Sequence, residues 1–232
     1  MKRFYNQVDT APAAGGYAIR LDGRAMRTQG GNPQIVPTQK LAERLAREWA
    51  DQGETIDPAR FVGRDLADYA IDTIAPDRAP TVEKLLAYAE TDTLCYRADP
   101  DEAFWHRQQA EWEPLVADME KREGVRLERV SGIMHRPLKP ATLERLRERL
   151  SALDPFTLAA LETLTGLAAS LCIGLAALEP GADGDALWNA ANLEEDWQAE
   201  RWGEDAEAAE NRARRREAFL AAMAFAASLR PA

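Results

Sequence analysis

The chain of 232 residues is poor in the side chains that metal sites and disulfide scaffolds require, with two cysteines and two histidines. Cys95 and Cys172 are too few and too far apart in the chain to form a disulfide framework or a zinc site. Cys172 lies in an apolar run of helical periodicity, a pattern that predicts an unreactive core residue. The sequence therefore predicts no metal and no cofactor.

Motifs for nucleotide and acyl chemistry are also absent. The chain has no G-x-x-x-x-G-K-[ST] phosphate loop, no G-x-G-x-x-G after a strand and no G-x-S-x-G. The histidines, His106 and His135, fall in different predicted elements, and His106 beside Trp105 is typical of a surface residue. One enzyme hypothesis stays open, in which Glu194 and Asp92 carry out acid–base chemistry.

Positive charge is scarce, because the formal net charge is −10 at pH 7. This balance argues against nucleic acid and against an anionic membrane, since both attract patches of Lys and Arg. Residues 1–70 hold 10 Lys+Arg and 9 Asp+Glu, whereas residues 71–232 hold 19 and 30. A partner of the acidic second part is expected to present a basic or mixed surface.

A long apolar run occupies residues 156–178, with Glu162 as its one charge. Length alone would permit a membrane span. The run is interrupted by small residues such as Gly166, Ser170 and Gly174, and it lacks flanking Lys or Arg anchors. We therefore predict one buried central helix of a soluble bundle, whose small residues let another helix approach closely.

The predicted fold class is α+β, with a small β-rich N-terminal domain of residues 1–65. Alternating apolar residues there lead into Asp22-Gly23, a dipeptide typical of a hairpin turn. Met26 and Thr28 are predicted on the return strand. A single helix is expected to pack on this sheet.

That helix is predicted at residues 38–52, with Thr38 as its N-cap and Trp49 on its buried face. A larger helical domain of residues 66–232 follows. A brief extended piece is expected at residues 133–134. The candidate helices besides the apolar run and an acidic segment are residues 66–74, 81–96, 103–119, 141–153 and 206–229.

The acidic segment is residues 193–205, L-E-E-D-W-Q-A-E-R-W-G-E-D, which combines six carboxylates with two tryptophans. On a helix, Leu193 and Trp197 share a face that is predicted to pack on the core. Gly203 is predicted to end this helix. Three consecutive carboxylates point in different directions on a helix, so they predict a cation site only weakly.

The neighbouring face of the segment is the candidate partner-binding site. It comprises Glu194, Glu195, Gln198, Arg201 and Trp202. Carboxylates beside a large aromatic group suit the recognition of another protein, although a surface helix with a structural role is the plainer alternative. A basic run at residues 212–216 is expected to balance acidic residues one turn away on its own helix, Glu207 and Glu210; a phosphate or partner site is the other interpretation.

Several short sequence motifs, in their order and spacing, resemble those of the ATP-twelve family. Its members are chaperones that assemble the catalytic head of the F-type ATP synthase. The resemblance extends from about residue 3 to about residue 225. It departs at Gln29, where Pro would be expected after Thr28. The motifs are Arg3-Phe4-Tyr5; Leu21-Asp22-Gly23-Arg24 with Thr28; Glu48-Trp49 with Gln52; Ala70-Ile71-Asp72; Thr91-Asp92 with Tyr96-Arg97; Gln108 with Trp112-Glu113-Pro114-Leu115; and Leu193-Glu194-Glu195 with Gln198 and Trp202-Gly203.

The resemblance implies a non-enzymatic chaperone that binds the unassembled α subunit of the synthase and releases it to the β subunit. It implies no cofactor, no small-molecule substrate and no membrane insertion. An adaptor for another client is the remaining alternative. Mitochondrial members would carry a transit peptide, but the first family-like motif here begins at Arg3 and no signal peptide is seen. A bacterial cytoplasmic protein is therefore expected.

The missing phosphate loop leads to a first prediction, about nucleotides. Without clustered Lys, Ser/Thr and Asp groups to hold phosphates and magnesium, the chain should neither hydrolyse ATP nor bind it tightly. Calorimetric titration with ATP and magnesium should give no saturable heat. A site of micromolar affinity would instead restore the enzyme hypothesis.

Overall fold

The structure, a computed structural model, describes residues 1–132, 136–203 and 205–230. It confirms the α+β class, with an antiparallel sheet followed by a mostly helical chain. The helices are α1 (Gln39–Ala50), α2 (Val62–Tyr69), α3 (Ala79–Glu90), α4 (Ala103–Glu123), α5 (Pro140–Ser151), α6 (Pro155–Ala168), α7 (Leu171–Ala177), α8 (Gly184–Ala191), α9 (Leu193–Trp202) and α10 (Ala206–Ser228).

Contacts within the chain define two compact units. Unit 1 consists of Met1–Arg78, Asp154–Ala160 and Ala221–Ala232. Unit 2 consists of Ala79–Leu153 and Leu161–Leu220. Both α6 and α10 therefore contribute residues to the two units. The predicted domain boundary after residue 65 stays a prediction.

Unit 1 contains the antiparallel sheet, in which β2 pairs with β1 along one edge and with β3 and β4 along the other. The predicted turn joins β2 to β3. Asp22 and Gly23 both have positive φ, 47° and 78°, which matches the twist of a two-residue hairpin. The strands are β1 (Val8–Ala13), β2 (Gly16–Leu21), β3 (Arg24–Ala25) and β4 (Ile35–Val36).

The return strand is shorter than predicted, because β3 ends before Met26 and Thr28. The Met26 N–H still donates to the Ile19 carbonyl at 2.8 Å. Thr28 instead lies in a loop, where its hydroxyl donates to Asp72 Oδ1 at 2.7 Å. Gly30 N–H donates to the same carboxylate at 2.8 Å. A side chain distant in sequence thus holds this loop, which a strand pattern cannot reveal.

The packed helix of unit 1 confirms the prediction for residues 38–52. The Thr38 hydroxyl caps α1 by accepting from Leu41 N–H at 3.1 Å. Trp49 is 5% exposed and lies 4.4 Å from Phe61, ring centroid to ring centroid. The Tyr5 hydroxyl donates to the Trp49 carbonyl at 2.7 Å. An aromatic cluster therefore fixes α1 in unit 1.

In unit 2, the predicted helix at residues 81–96 ends early, and α3 stops at Glu90. Asp92 accepts from Leu94 N–H at 3.1 Å and starts a 3-10 turn at Thr93–Cys95. The chain then extends into β5 (Tyr96–Arg97), which pairs in parallel with β6 (Val130–Ser131). Among the described residues after Arg78, β5 and β6 are the only strands, and the other regular elements are helices.

The prediction of a single helix at residues 156–178 is wrong, because the chain breaks it into α6 and α7. Ala169 adopts a positive φ of 50°, and the Ser170 hydroxyl then caps α7 by accepting from Ile173 N–H. Gly174 does pack closely, but its nearest neighbours are Thr165 and Leu161 of α6, inside the same apolar run, and not a helix from another part of the chain. No helix in the described ranges is long and apolar enough to cross a membrane.

The remaining differences are local. A π-helix at Ala70–Ile74 follows α2 within the predicted segment 66–74. Helix α4 passes through Pro114 and continues to Glu123, beyond the predicted end. Helix α8, capped by the Asp183 side chain, was not predicted. The predicted extended piece at residues 133–134, and His135, lie outside the described residues.

The buried position of Trp49 leads to a prediction about stability. Trp49→Arg places a charge among apolar rings and should lower the free energy of unfolding by several kcal/mol, on the order of other core charges. The same substitution at the exposed Trp202 is the matched control and should leave the melting temperature nearly unchanged. Equal melting temperatures for Trp49→Arg and the unmodified chain would contradict this packing.

Candidate functional site

Helix α9 places all five candidate residues on one exposed face. Successive residues of an α-helix are about 100° apart around the axis, so these five fall within an arc of roughly 120°. Each is exposed in the structure. The face comprises Glu194, Glu195, Gln198, Arg201 and Trp202, and we refer to it as the acidic face.

The opposite side of α9 is attached to unit 2. Leu193 is buried, as predicted. Trp197 is half-buried and stacks on Phe104 of α4, with 5.3 Å between ring centroids. Arg107 Nη1 donates to both carboxylate oxygens of Glu200, at 2.7 and 2.8 Å. Apolar burial, ring stacking and an ion pair therefore hold the helix, so the acidic face does not have to do so.

Within the acidic face, Trp202 exposes the largest apolar side chain to solvent. It is 77% exposed, in contrast to the usual burial of Trp. Arg201 lies with its guanidinium 4.3 Å above the Trp197 ring, a cation–π arrangement. The Gln198 amide donates to Glu194 Oε1 at 3.3 Å. The face thus combines an exposed ring with exposed carboxylates.

The end of α9 follows the predicted pattern. Gly203 has a φ of 91°, and its N–H donates to the Ala199 carbonyl at 2.9 Å. This conformation favours glycine because no Cβ interferes. Asp205 then caps α10 by accepting from Ala208 N–H at 2.9 Å. The first turns of α10 lie beside the last turns of α9, where residues of both helices line one groove.

A groove of about 390 Å³ lies between these two helices. Ala199 of α9 and Ala208 and Ala209 of α10 line it with small apolar side chains, which we call the alanine floor, and Trp202 lines it as well. The acidic face therefore continues into a concave surface. The other lining residues are Glu195, Gln198, Gly203, Asp205, Asn211, Arg212 and Arg215.

The basic run at residues 212–216 is paired differently from the prediction. Arg214 does pair with Glu210 on its own helix, at 2.8 Å. The other arginines bind groups on other elements of unit 2, which the sequence analysis did not foresee. Arg212 pairs with Asp196, Arg216 with Asp185, and Arg215 donates to the Leu167 carbonyl at 2.8 Å and lies 3.7 Å from Glu195.

Comparison with known proteins identifies the family. A family model described as ATP12 chaperone protein matches residues 2–120, about half of the chain. The chain belongs to the ATP12 chaperone family. This family is non-enzymatic and is implicated in ATP synthase assembly. The resemblance seen in the sequence is therefore confirmed.

Individual relatives agree with this assignment across nearly the whole chain. Atp12 from Paracoccus denitrificans has a crystal structure with a TM-score of 0.92 and 35% identity, covering 99% of this chain and 98% of that one. The Atu1473 protein from Agrobacterium tumefaciens gives 0.94 and 38%, covering 99% and 86%. The mitochondrial protein atp12 of Schizosaccharomyces pombe is 28% identical over 225 residues, covering 90% of this chain and 77% of that protein.

The alternative pair for acid–base chemistry does not form a site. Glu194 is exposed, whereas Asp92 is 1% exposed. Asp92 accepts from the Ser170 hydroxyl at 2.7 Å and from Cys172 N–H at 2.9 Å. Burial raises the pKa of Asp92, and these hydrogen bonds oppose that rise. Asp92 is therefore a structural residue of an ATP12-family chaperone, and the enzyme hypothesis is set aside.

The two cysteines lie close together in the core of unit 2, although they are far apart in the sequence. Both are buried and free. A hydrogen bond between the Cys172 and Cys95 side chains and then burial raise the pKa of the Cys172 thiol well above its usual value. A thiol kept protonated is a poor nucleophile. The prediction of an unreactive Cys172 agrees with this environment.

The α10 side of the groove and the α4 partners of α9 were missed by sequence reasoning. Ala208 and Ala209 carry no chemical signal of their own, and Phe104 lies on a helix distant in sequence. An exposed helix with small residues next to Gly203 was the one available hint. Recognising it required knowing that α10 turns back beside α9.

The hydrogen bonds around Asp92 lead to a prediction that tests its structural role. Asp92→Ala leaves several buried donors without an acceptor, and it should lower the free energy of unfolding by about 1–3 kcal/mol or more. Asp101→Ala, at an exposed position of the same unit, should change it little. Denaturant unfolding monitored by circular dichroism measures both. Equal stabilities would show that the Asp92 hydrogen bonds are dispensable.

Proposed function

We propose that the chain binds the unassembled α subunit of the F-type ATP synthase and prevents its aggregation until the β subunit replaces it. Membership of the ATP12 chaperone family supports an assembly role. The choice of the α subunit as the client rests on the resemblance of the ordered sequence motifs to those of this family. An isolated ring subunit exposes apolar interfaces that aggregate or pair wrongly, and a reversible cover counters this.

The observation that carries the proposal is the two-sided character of α9. One side is fixed by Leu193, Trp197 and Glu200, and the other leaves the acidic face exposed. A helix attached in this way can lose an exposed side chain without losing its position. This supports the acidic face as the client-binding surface.

The chemistry of the face suits a temporary complex. Complementary charges orient a partner and speed its approach more than they increase affinity. Trp202 adds an aromatic anchor of the kind that dominates binding energy at interfaces. A client with a basic or mixed surface would bind quickly through the carboxylates and be retained mainly by the ring. The β subunit could then displace the chaperone without breaking a large apolar contact.

We place this activity in the bacterial cytoplasm. Two solved relatives come from bacteria and share 35% and 38% identity with the chain, against 28% for the mitochondrial relative. The α subunit of a bacterial synthase is made in that compartment, so the chaperone and its client would meet there.

Charge reversal at one position tests the proposal. Glu194→Lys sets a positive charge against a basic client surface, which can cost several kcal/mol of binding free energy. The folded chain should change by only a few tenths of a kcal/mol, because the position is exposed. Light scattering of purified α subunit measures protection from aggregation, and thermal unfolding of the variant measures its stability.

Glu111→Lys is the matched control, since it makes the same charge change at another exposed helical position of unit 2. It should protect the α subunit as well as the unmodified chain. If Glu194→Lys unfolds the protein, Glu194 is structural. If it folds and protects normally, the acidic face is not the binding surface. If both variants fail equally, the effect is one of net charge.

A further inference from the structure

The groove between α9 and α10 differs from ordinary surface in having an apolar floor that no described side chain of the protein covers. Ala199, Ala208 and Ala209 form this floor beside the exposed Trp202 ring. Its volume of about 390 Å³ falls within the range of roughly 300–1,000 Å³ that ligand-binding clefts occupy. Trp202 is the one exposed tryptophan of the six in the chain, all of which the structure describes.

The charges at the groove rim select the kind of partner. Its arginines are already engaged, because Arg212 pairs with Asp196 and Arg215 donates to the Leu167 carbonyl. Glu195 forms an ion pair with Arg215, although their separation of 3.7 Å is too long for a hydrogen bond. The carboxylate of Glu195 therefore retains acceptor capacity at the edge of the groove.

We propose that this groove receives one large apolar side chain of the client, from a segment in which Lys or Arg flanks that side chain. The apolar side chain would lie on the alanine floor against the Trp202 ring. A neighbouring cation of the client would bind Glu195. This inference rests on the proposed function, because the client is the α subunit, but it names the recognised chemistry.

The proposed occupant would account for the small side chains of the floor. A large residue at Ala208 or Ala209 would fill the space that the client side chain needs. The two positions are on the first turns of α10, which Asp205 caps. Small residues there leave the helix intact and the groove open.

Filling the groove tests the proposal. Ala208→Phe should block the floor and weaken α-subunit capture by roughly tenfold or more, as loss of an aromatic contact does at interfaces. Ala213→Phe makes the same change at an exposed position of α10 outside the groove, and capture should be unchanged. Thermal unfolding of both variants confirms that they fold. Normal capture by a folded Ala208→Phe would overturn the groove proposal while the proposed function stands.

A peptide probe separates the groove from the identity of the client. The probe is a short peptide with one phenylalanine between two arginines, and the control peptide has glutamates in place of the arginines. The arginine peptide should change Trp202 fluorescence saturably, and the signal should vanish in Trp202→Phe and in Ala208→Phe. Equal responses to both peptides, or none to either, would overturn the proposal even if the α subunit is captured.

The two proposals can therefore fail separately. If the unmodified chain does not capture the α subunit but binds the arginine peptide in the groove, the proposed function fails and the chemistry of the groove remains. Analytical sedimentation of the chain alone tests whether a second copy of the chain occupies the groove. A dimer that Ala208→Phe dissociates would show that a second copy fills the groove, which contradicts a client segment.

Discussion

A buried carboxylate organises the helical part of this chain. Asp92 accepts hydrogen bonds from Leu94 N–H, the Ser170 hydroxyl and Cys172 N–H. Burying an unpaired charge is costly, and such a carboxylate is tolerated only where donors surround it. Here the donors come from two segments far apart in sequence. The end of α3 and the start of α7 are thereby held at one point, and α4 packs there through Met119 beside Cys172.

That fixed framework determines what α9 can do. Helix α4 supplies Phe104 and Arg107, which hold Trp197 and Glu200. The inward half of α9 is thus satisfied within unit 2. The outward half keeps its carboxylates and Trp202 in solvent. Binding groups on a rigid helix lose less freedom when a partner arrives than groups on a loop do.

Local patterns predicted the elements that depend on neighbours in sequence. Such patterns predicted the Asp22-Gly23 turn, the cap at Thr38 and the end of α9 at Gly203. The family-like motifs identified the chaperone family. Contacts between distant residues were not predictable. The break after α6 depends on Asp92, and the partners of Arg212, Arg215 and Arg216 lie on other elements. The groove requires α10 to lie beside α9, so no pattern within either helix reveals it.

One face of α9 and the adjoining turns of α10 are proposed to meet the α subunit. Hydrogen–deuterium exchange of the chain, with and without purified α subunit, tests it without any substitution. Amides of α9 and of the first two turns of α10 should exchange more slowly in the complex, whereas those of the β1–β2 hairpin should not change. A complex that protects other segments and leaves α9 and α10 unchanged would contradict the account.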